Sequence, residues 1–247
     1  MSELLLRCEA LRVGYLGRAI LPAIELEIRA GEFWAVVGRN GSGKTTWLRT
    51  LLGLLPPVGG RVTRARADLS FSYVPQQKTI DELYPLLARD VVGLGLERGW
   101  SFLAPRFGRE PPEILEALEE FGAGELAGQP FRSLSEGQKQ RVLFARLAVS
   151  RAELAVLDEP TSAMDPVAID EAFELLARHR ERHALAVVMV SHTVDRLRHY
   201  ADHALLVDRE REAVLVGSPE AVFADERFTA RFGESAGGVS ALREQRA

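Results

Sequence analysis

The stretch GRNGSGKTT, Gly38 to Thr46, follows the apolar run FWAVV and precedes WLRTLLGLL. The apolar run closes a stretch that reads as a strand, and KTTWLRTLLGLL keeps helical spacing up to Pro56-Pro57. Strand, glycine-rich loop and helix therefore follow in order, which narrows the chain to an α/β fold. Gly38, Gly43, Lys44 and Thr45 satisfy G-x-x-x-x-G-K-[ST]. Glycines let the backbone curl so that successive N–H groups point inward, and the helix N-terminus behind them adds a positive dipole end. The expected phosphate cradle is Gly38, Arg39, Asn40, Gly41, Ser42, Gly43, Lys44, Thr45 and Thr46. Lys44 is expected to reach the outer phosphates, and the Thr45 hydroxyl to ligate Mg2+.

Composition narrows the surroundings. The chain has 247 residues, enough for one large domain with a subdomain inserted, and a net charge of −4, which gives no support to nucleic acid as a main partner. Cys8 is the single cysteine, so neither an internal disulfide nor a CxxC metal or redox site is available, and a cytoplasmic compartment fits. MSELLLRCEALRVGY meets a glutamate at once and is not expected to be a secretory signal. No run approaches the roughly 18–20 apolar residues of a membrane span, so the chain is not expected to cross a membrane by itself.

LLLRCEALRV and AIELEIRAGEFWAVVG read as strands, VGGRVTRARADLSFSYVPQ as further short strands and turns, and GWSFLAPRFGREPP as a loop before the helical EILEALEEFGA. LAVLD and ALAVVMV are near-continuous apolar runs of the kind buried in parallel sheets, and VAIDEAFELLARHRERH between them is a helix. The expected organisation is a nucleotide-binding core with a β subdomain over 1–80, a helical subdomain over 81–141, the rest of the core over 142–217 and a C-terminal tail over 218–247. LAVLDEP ends an apolar strand in two carboxylates, which suits a nucleotide hydrolase. Asp158 would hold Mg2+, and Glu159 would act as general base on the attacking water.

RSLSEGQKQRVLFARLAV, about 20 residues before LAVLDEPTSAMD, resembles the signature region of ATP-binding cassette (ABC) ATPases. Six diagnostic elements follow in that family's order: GRNGSGKT, YVPQ, LSEGQ, LAVLDE, SAMD and VSH. The resemblance implies a P-loop NTPase (RecA-like) core with an antiparallel β subdomain and an inserted α-helical signature subdomain. It further implies ATP and Mg2+ as cofactors, with Tyr15 stacked on the adenine and Gln76 touching Mg2+ or the attacking water. Asp165 is implied to order the site across a dimer, and His192 to contact the γ-phosphate. Ser135, Glu136, Gly137 and Gln138 are implied to close on nucleotide held by a second copy, so the active form is expected to be a head-to-tail homodimer. The family's usual LSGGQ carries Glu136 here in place of its first glycine, and a carboxylate beside a γ-phosphate is repulsive unless it points away.

The same resemblance implies a subunit peripheral on the inner face of the cell membrane, docked on a separate integral membrane permease that works with an extracytoplasmic solute-binding protein. Tyr84, Leu86, Val91 and Val92 are candidates for the groove that receives the permease, with ordinary core packing an equal alternative. Ile80-Asp81, Tyr84-Pro85, Asp90-Val91-Val92, GSPEAVF and TARFG resemble importers of metal cations such as zinc and manganese. Iron-chelate import, other cargo, or a non-transport ABC module acting on a soluble partner stand as alternatives. His179 and His183, like His199 and His203, have the i, i+4 spacing that can hold a metal, but the Arg- and Glu-rich helix around the first pair is expected to face solvent, and the second pair is read as structural. Trp34 and Trp47 are read as packing residues.

Overall fold

Strand β5 (Phe33–Val37) is buried along its whole length because both faces of its sheet are covered. Phe33, Ala35 and Val37 enter one hydrophobic core while Trp34 and Val36 enter another, the two-residue alternation of a strand between two layers. β8 (Leu154–Asp158) and β9 (Ala186–Val190) divide in the same way. The computed structural model describes residues 2–75, 86–96, 111–161, 164–191 and 194–236. With β7 (Phe71–Val74), β10 (His203–Asp208) and β11 (Ala213–Gly217), these strands form a sheet in the order β11-β10-β5-β9-β8-β7. All pairs in it are parallel except β10 with β11.

β1 (Leu4–Arg12) lies between β4 (Ile24–Arg29) and β6 (Gly59–Arg64) in a separate antiparallel sheet, the expected β subdomain, while β2 (Gly14–Tyr15) and β3 (Arg18–Ala19) form a small hairpin. Helix α1 (Lys44–Leu51) buries Trp47, Leu48 and Leu51 in the core shared by the two sheets. Each such side chain contributes roughly 1.5–3 kcal/mol by leaving water. The sequence reading carries this helix to Leu55, but it stops at Leu51. Gly53 takes φ +78°, its N–H bonds the Thr50 carbonyl at 3.0 Å, and the Leu54 N–H bonds the Arg49 carbonyl at 2.8 Å. That pair of bonds terminates a helix through a left-handed glycine.

The other face of the large sheet carries α4 (Glu136–Val149), α5 (Pro166–His183) and α6 (Val194–Tyr200), with α2 (Ala88–Gly93) and α3 (Pro112–Glu120) packed on α4. The domain boundary expected after Arg141 falls inside the unbroken α4, and the one expected after position 80 lies outside the described residues. Within the stretch expected as a tail, 218–247, the described residues form α7 (Pro219–Ala224) and α8 (Glu226–Ala236), and 237–247 lie outside them. Val222, Phe223 and Phe228 from these helices are buried in the core, with the two phenylalanine rings 5.0 Å apart. Val91 and Val92 are core residues at 6% and 0% exposure, which favours packing over the groove; Leu86 is half-buried, and Tyr84 lies outside the described residues. His179, expected on a solvated face, is buried, because α5 turns that face toward Phe121 and Glu120. His199 and His203 part company: one ring meets Tyr200 edge-on and the other stacks on Trp34.

Candidate functional site

The loop after β5 is shaped by close approach. A methyl group on Gly38 would lie 2.4 Å from the Val207 carbonyl oxygen and 2.5 Å from Ser42 Oγ, so only glycine lets the strand turn there. Gly43 caps α1 with φ +103°, in the left-handed region that glycine enters freely. No acidic side chain sits in the first turn of α1, so its positive end stays uncompensated by its own residues. The Lys44 ammonium donates to the Gly38 and Arg39 carbonyls at 2.8 and 2.9 Å, and its burial lowers its pKa against the opposing pull of Glu159 and Asp158. Ser42 Oγ is buried with no hydrogen-bond partner among the described residues. An orphaned hydroxyl, a glycine cradle and an uncompensated helix end together fit an anionic ligand.

A cavity of about 430 Å³ opens on this loop, lined by Tyr15, Ile20, Asn40, Gly41, Gly43, Lys44, Thr45, Thr46, Glu159 and Arg209. Tyr15 projects its ring half into solvent, and its hydroxyl lies 3.1 Å from Thr46 Oγ1. The Arg39 guanidinium instead turns outward to Glu210 at 3.8 Å, leaving its carbonyl as that residue's contribution to Lys44.

Parallel pairing of β8 with β9, which itself pairs β5, carries the two carboxylates to the same end of the sheet as the loop. Thr45 Oγ1 donates to Asp158 Oδ2 at 3.1 Å across 113 residues of chain. Burial pushes the Asp158 pKa up, the Thr45 hydrogen bond and the Lys44 charge oppose this, and Glu159 adds to it. Burial raises the pKa of Tyr73 on the neighbouring β7 as well, and the nearby Asp158 charge adds to the rise. Glu159 has φ +51°, a conformation costly for a residue with a long side chain, and its N–H is held by the Val190 carbonyl at 2.9 Å.

The signature residues open α4 rather than preceding it. Ser135 is the N-cap: its Oγ accepts from the Gln138 N–H at 3.3 Å, while Gln138 Oε1 accepts from the Ser135 N–H at 2.9 Å. Glu136 turns along its own helix and accepts from Lys139 Nζ at 2.9 Å. A methyl on Gly137 would meet Ala168 Cβ at 3.7 Å and Met164 Cε at 4.0 Å, ordinary contact distances. Asp165 caps α5, its Oδ1 accepting from the Val167 and Ala168 N–H groups at 3.1 and 3.0 Å. Gln76, His192, and Ser162 and Ala163 of SAMD lie outside the described residues.

The arrangement joins an anion cradle to a hydroxyl–carboxylate pair of hard oxygens, the donor set a divalent cation beside phosphates requires. Tyr73 and Arg209 escape sequence reasoning. Tyr73 stands three positions before Gln76, but only strand pairing directs it to Asp158, and Arg209 carries no sequence signal because it follows a strand more than 160 residues from the loop.

A family model described as ABC transporter matches residues 21–162. The zinc import ATP-binding protein ZnuC of Pseudomonas entomophila (strain L48) is 36% identical over 96% of this chain and 86% of that protein. Among solved structures, an inward-facing metal-chelate type ABC transporter superposes with a TM-score of 0.80 at 28% identity, over 94% of this chain and 90% of that one. The cbiO1 protein of Clostridium perfringens, part of the ABC transporter complex cbiONQ, superposes with a TM-score of 0.76 at 26% identity, over 98% and 99% of the two chains.

Proposed function

The chain belongs to the ABC transporter family as an ATP-binding ATPase, and from that premise we propose that it powers a separate membrane permease for the import of a metal cation. The observation that carries the ATPase chemistry is the Thr45–Asp158 contact, which brings the loop and the carboxylate pair into one site. Likeness to zinc import proteins over nearly the whole chain supports the cargo class. Likeness to a metal-chelate type transporter supports a second reading, in which the cargo is a chelated metal. No described helix is long and apolar enough to cross a membrane, which accords with a partner doing so.

Gly38 to Thr46 cradle the ATP phosphates, with Lys44 exchanging loop carbonyls for phosphate oxygens, and Tyr15 stacks on the base. Thr45 and Asp158 are the residues that would hold Mg2+, with Gln76 completing the set; bound there, the ion neutralises charge on the outer phosphates. Glu159, fixed at the strand end by Val190, accepts the proton of the attacking water, and His192 orients the γ-phosphate. Two copies meet head to tail, so that Ser135, Gly137 and Gln138 at the positive end of α4 face nucleotide held by the partner, while Asp165 orders the junction. The Glu136–Lys139 pair supports this by holding the extra carboxylate on its own helix.

Glu159→Gln should retain ATP binding, lose hydrolysis by about 10²–10⁴-fold, and trap an ATP-bound dimer. The trapped variant, recovered from gently solubilised membranes of its native host with ATP and Mg2+, should carry a polytopic permease identifiable by mass spectrometry. Recovery of soluble partners alone, with the bait intact, would overturn the transporter reading. Growth of a permease-deletion strain under limitation for free or for chelated metal separates the two cargoes.

A further inference from the structure

Away from the nucleotide site, a larger cavity of about 800 Å³ is lined at one side by α3 and at the other by α5. Glu113, Glu116 and Glu120 approach from α3, and Glu3 and Glu153, both paired with Arg66, add two more carboxylates, so five acids face the cations Arg66, Arg151 and Arg182. The excess of acids makes the cavity attractive to cations. At its wall, Glu120, His179 and His183 each offer a ligand atom, and all three atoms lie within 4.8 Å of one another. Glu120 Oε1 and His179 Nδ1 are already 3.1 Å apart, and the two histidine rings have their centroids 4.5 Å apart.

We infer that Glu120, His179 and His183 form a binding site for a first-row divalent transition metal of the zinc type. Two imidazoles and a carboxylate are the donors such an ion prefers, whereas calcium and magnesium favour all-oxygen sets. Bonds of about 2.0–2.2 Å in a tetrahedron separate ligand atoms by roughly 3.4 Å, so one edge is nearly formed and closure asks for up to about 1.4 Å elsewhere. His179 and His183, one turn apart on α5, project to the same side, and exposed His183 can swing while buried His179 is fixed against Phe121. The competitor for Glu120 Oε1 is the Arg182 guanidinium at 3.1 Å, whose side chain is 63% exposed and therefore weakly held. An ion in the site ties the end of α3 to α5, with the fourth position open to the cavity.

The test is a Co2+ titration of the purified full-length chain without a histidine tag, in excess Mg2+, followed by the visible d–d absorption of a tetrahedral centre. One equivalent should bind, be displaced by one equivalent of Zn2+, and raise the melting midpoint. His183→Gln, at an exposed position, should keep the metal-free midpoint of the parent chain yet bind Co2+ at least tenfold more weakly, and Glu120→Gln should weaken binding as well. Absence of a one-equivalent tetrahedral spectrum, or undiminished binding by His183→Gln, would overturn the site. Permease recovery is unaffected by either outcome, so failure here and failure of the transporter reading remain distinct.

Discussion

Gly137→Ala separates stability from function at one atom. Gly137 is the second residue of the first turn of α4, behind the Ser135 cap. Glycine within a helix costs about 0.5–1 kcal/mol relative to alanine, and the lower end suits a first-turn position. The added methyl would find Ala168 Cβ at 3.7 Å and Met164 Cε at 4.0 Å. Those contacts contribute about 0.1–0.2 kcal/mol apiece and impose no clash. The substituted monomer should therefore be more stable by roughly 0.5 kcal/mol, and a domain of this size should melt about 1–2 °C higher. Turnover should move the other way. If the backbone at Gly137 faces nucleotide held by a second copy, a methyl there holds the two apart, and even 1.4 kcal/mol lost from the closed state lowers the rate about tenfold. Calorimetry of the nucleotide-free chain and steady-state phosphate release, run on one preparation, measure both quantities. Parental turnover with an unchanged or higher melting point would remove Gly137 from the interface between copies. A melting point several degrees lower would refute the packing argument itself.

Lys44→Ala should weaken nucleotide binding by roughly 10–100-fold, the loss of one or more charge-assisted hydrogen bonds, and normal binding in a fluorescent-nucleotide titration would contradict the cradle. Asp158→Asn should abolish Mg2+-dependent turnover while stabilising the nucleotide-free chain at neutral pH. Burial raises the folded-state pKa of Asp158 above its ordinary 3.8, so the folded chain holds that proton more tightly than the unfolded one. Ionisation therefore costs stability as pH climbs from about 4 through the folded-state pKa, and the cost is fully present above it. Melting curves of parent and variant should coincide near pH 4 and diverge toward pH 7, with the variant higher; divergence in the opposite sense would place a net stabilising charge at Asp158.

The strand, glycine-rich loop and helix around Gly38 to Thr46 were legible in the sequence because the loop lies within nine consecutive residues, and local spacing decides whether such elements follow one another. The buried strands LAVLD and AVVMV announced themselves by unbroken apolar runs, and Asp158 and Glu159 by standing where such a run stops. Sequence spacing also showed that His179 and His183 share a face, but not which way the face turns. Composition suggested solvent; tertiary packing of α5 against α3 put His179 beside Phe121 and Glu120. The last helices were missed because short amphipathic segments become helical when a core is there to receive Phe223 and Phe228, and nothing local supplies that core. The Thr45–Asp158 contact, the approach of Tyr73 to the same carboxylate, and the arrival of Arg209 at the cavity over the loop depend on the strand order β11-β10-β5-β9-β8-β7. Local sequence determined which segments carry the chemistry, because dihedral preference and burial period act over a few residues. Strand pairing between segments far apart in the chain decided which of those residues meet, because that choice is made by the whole core.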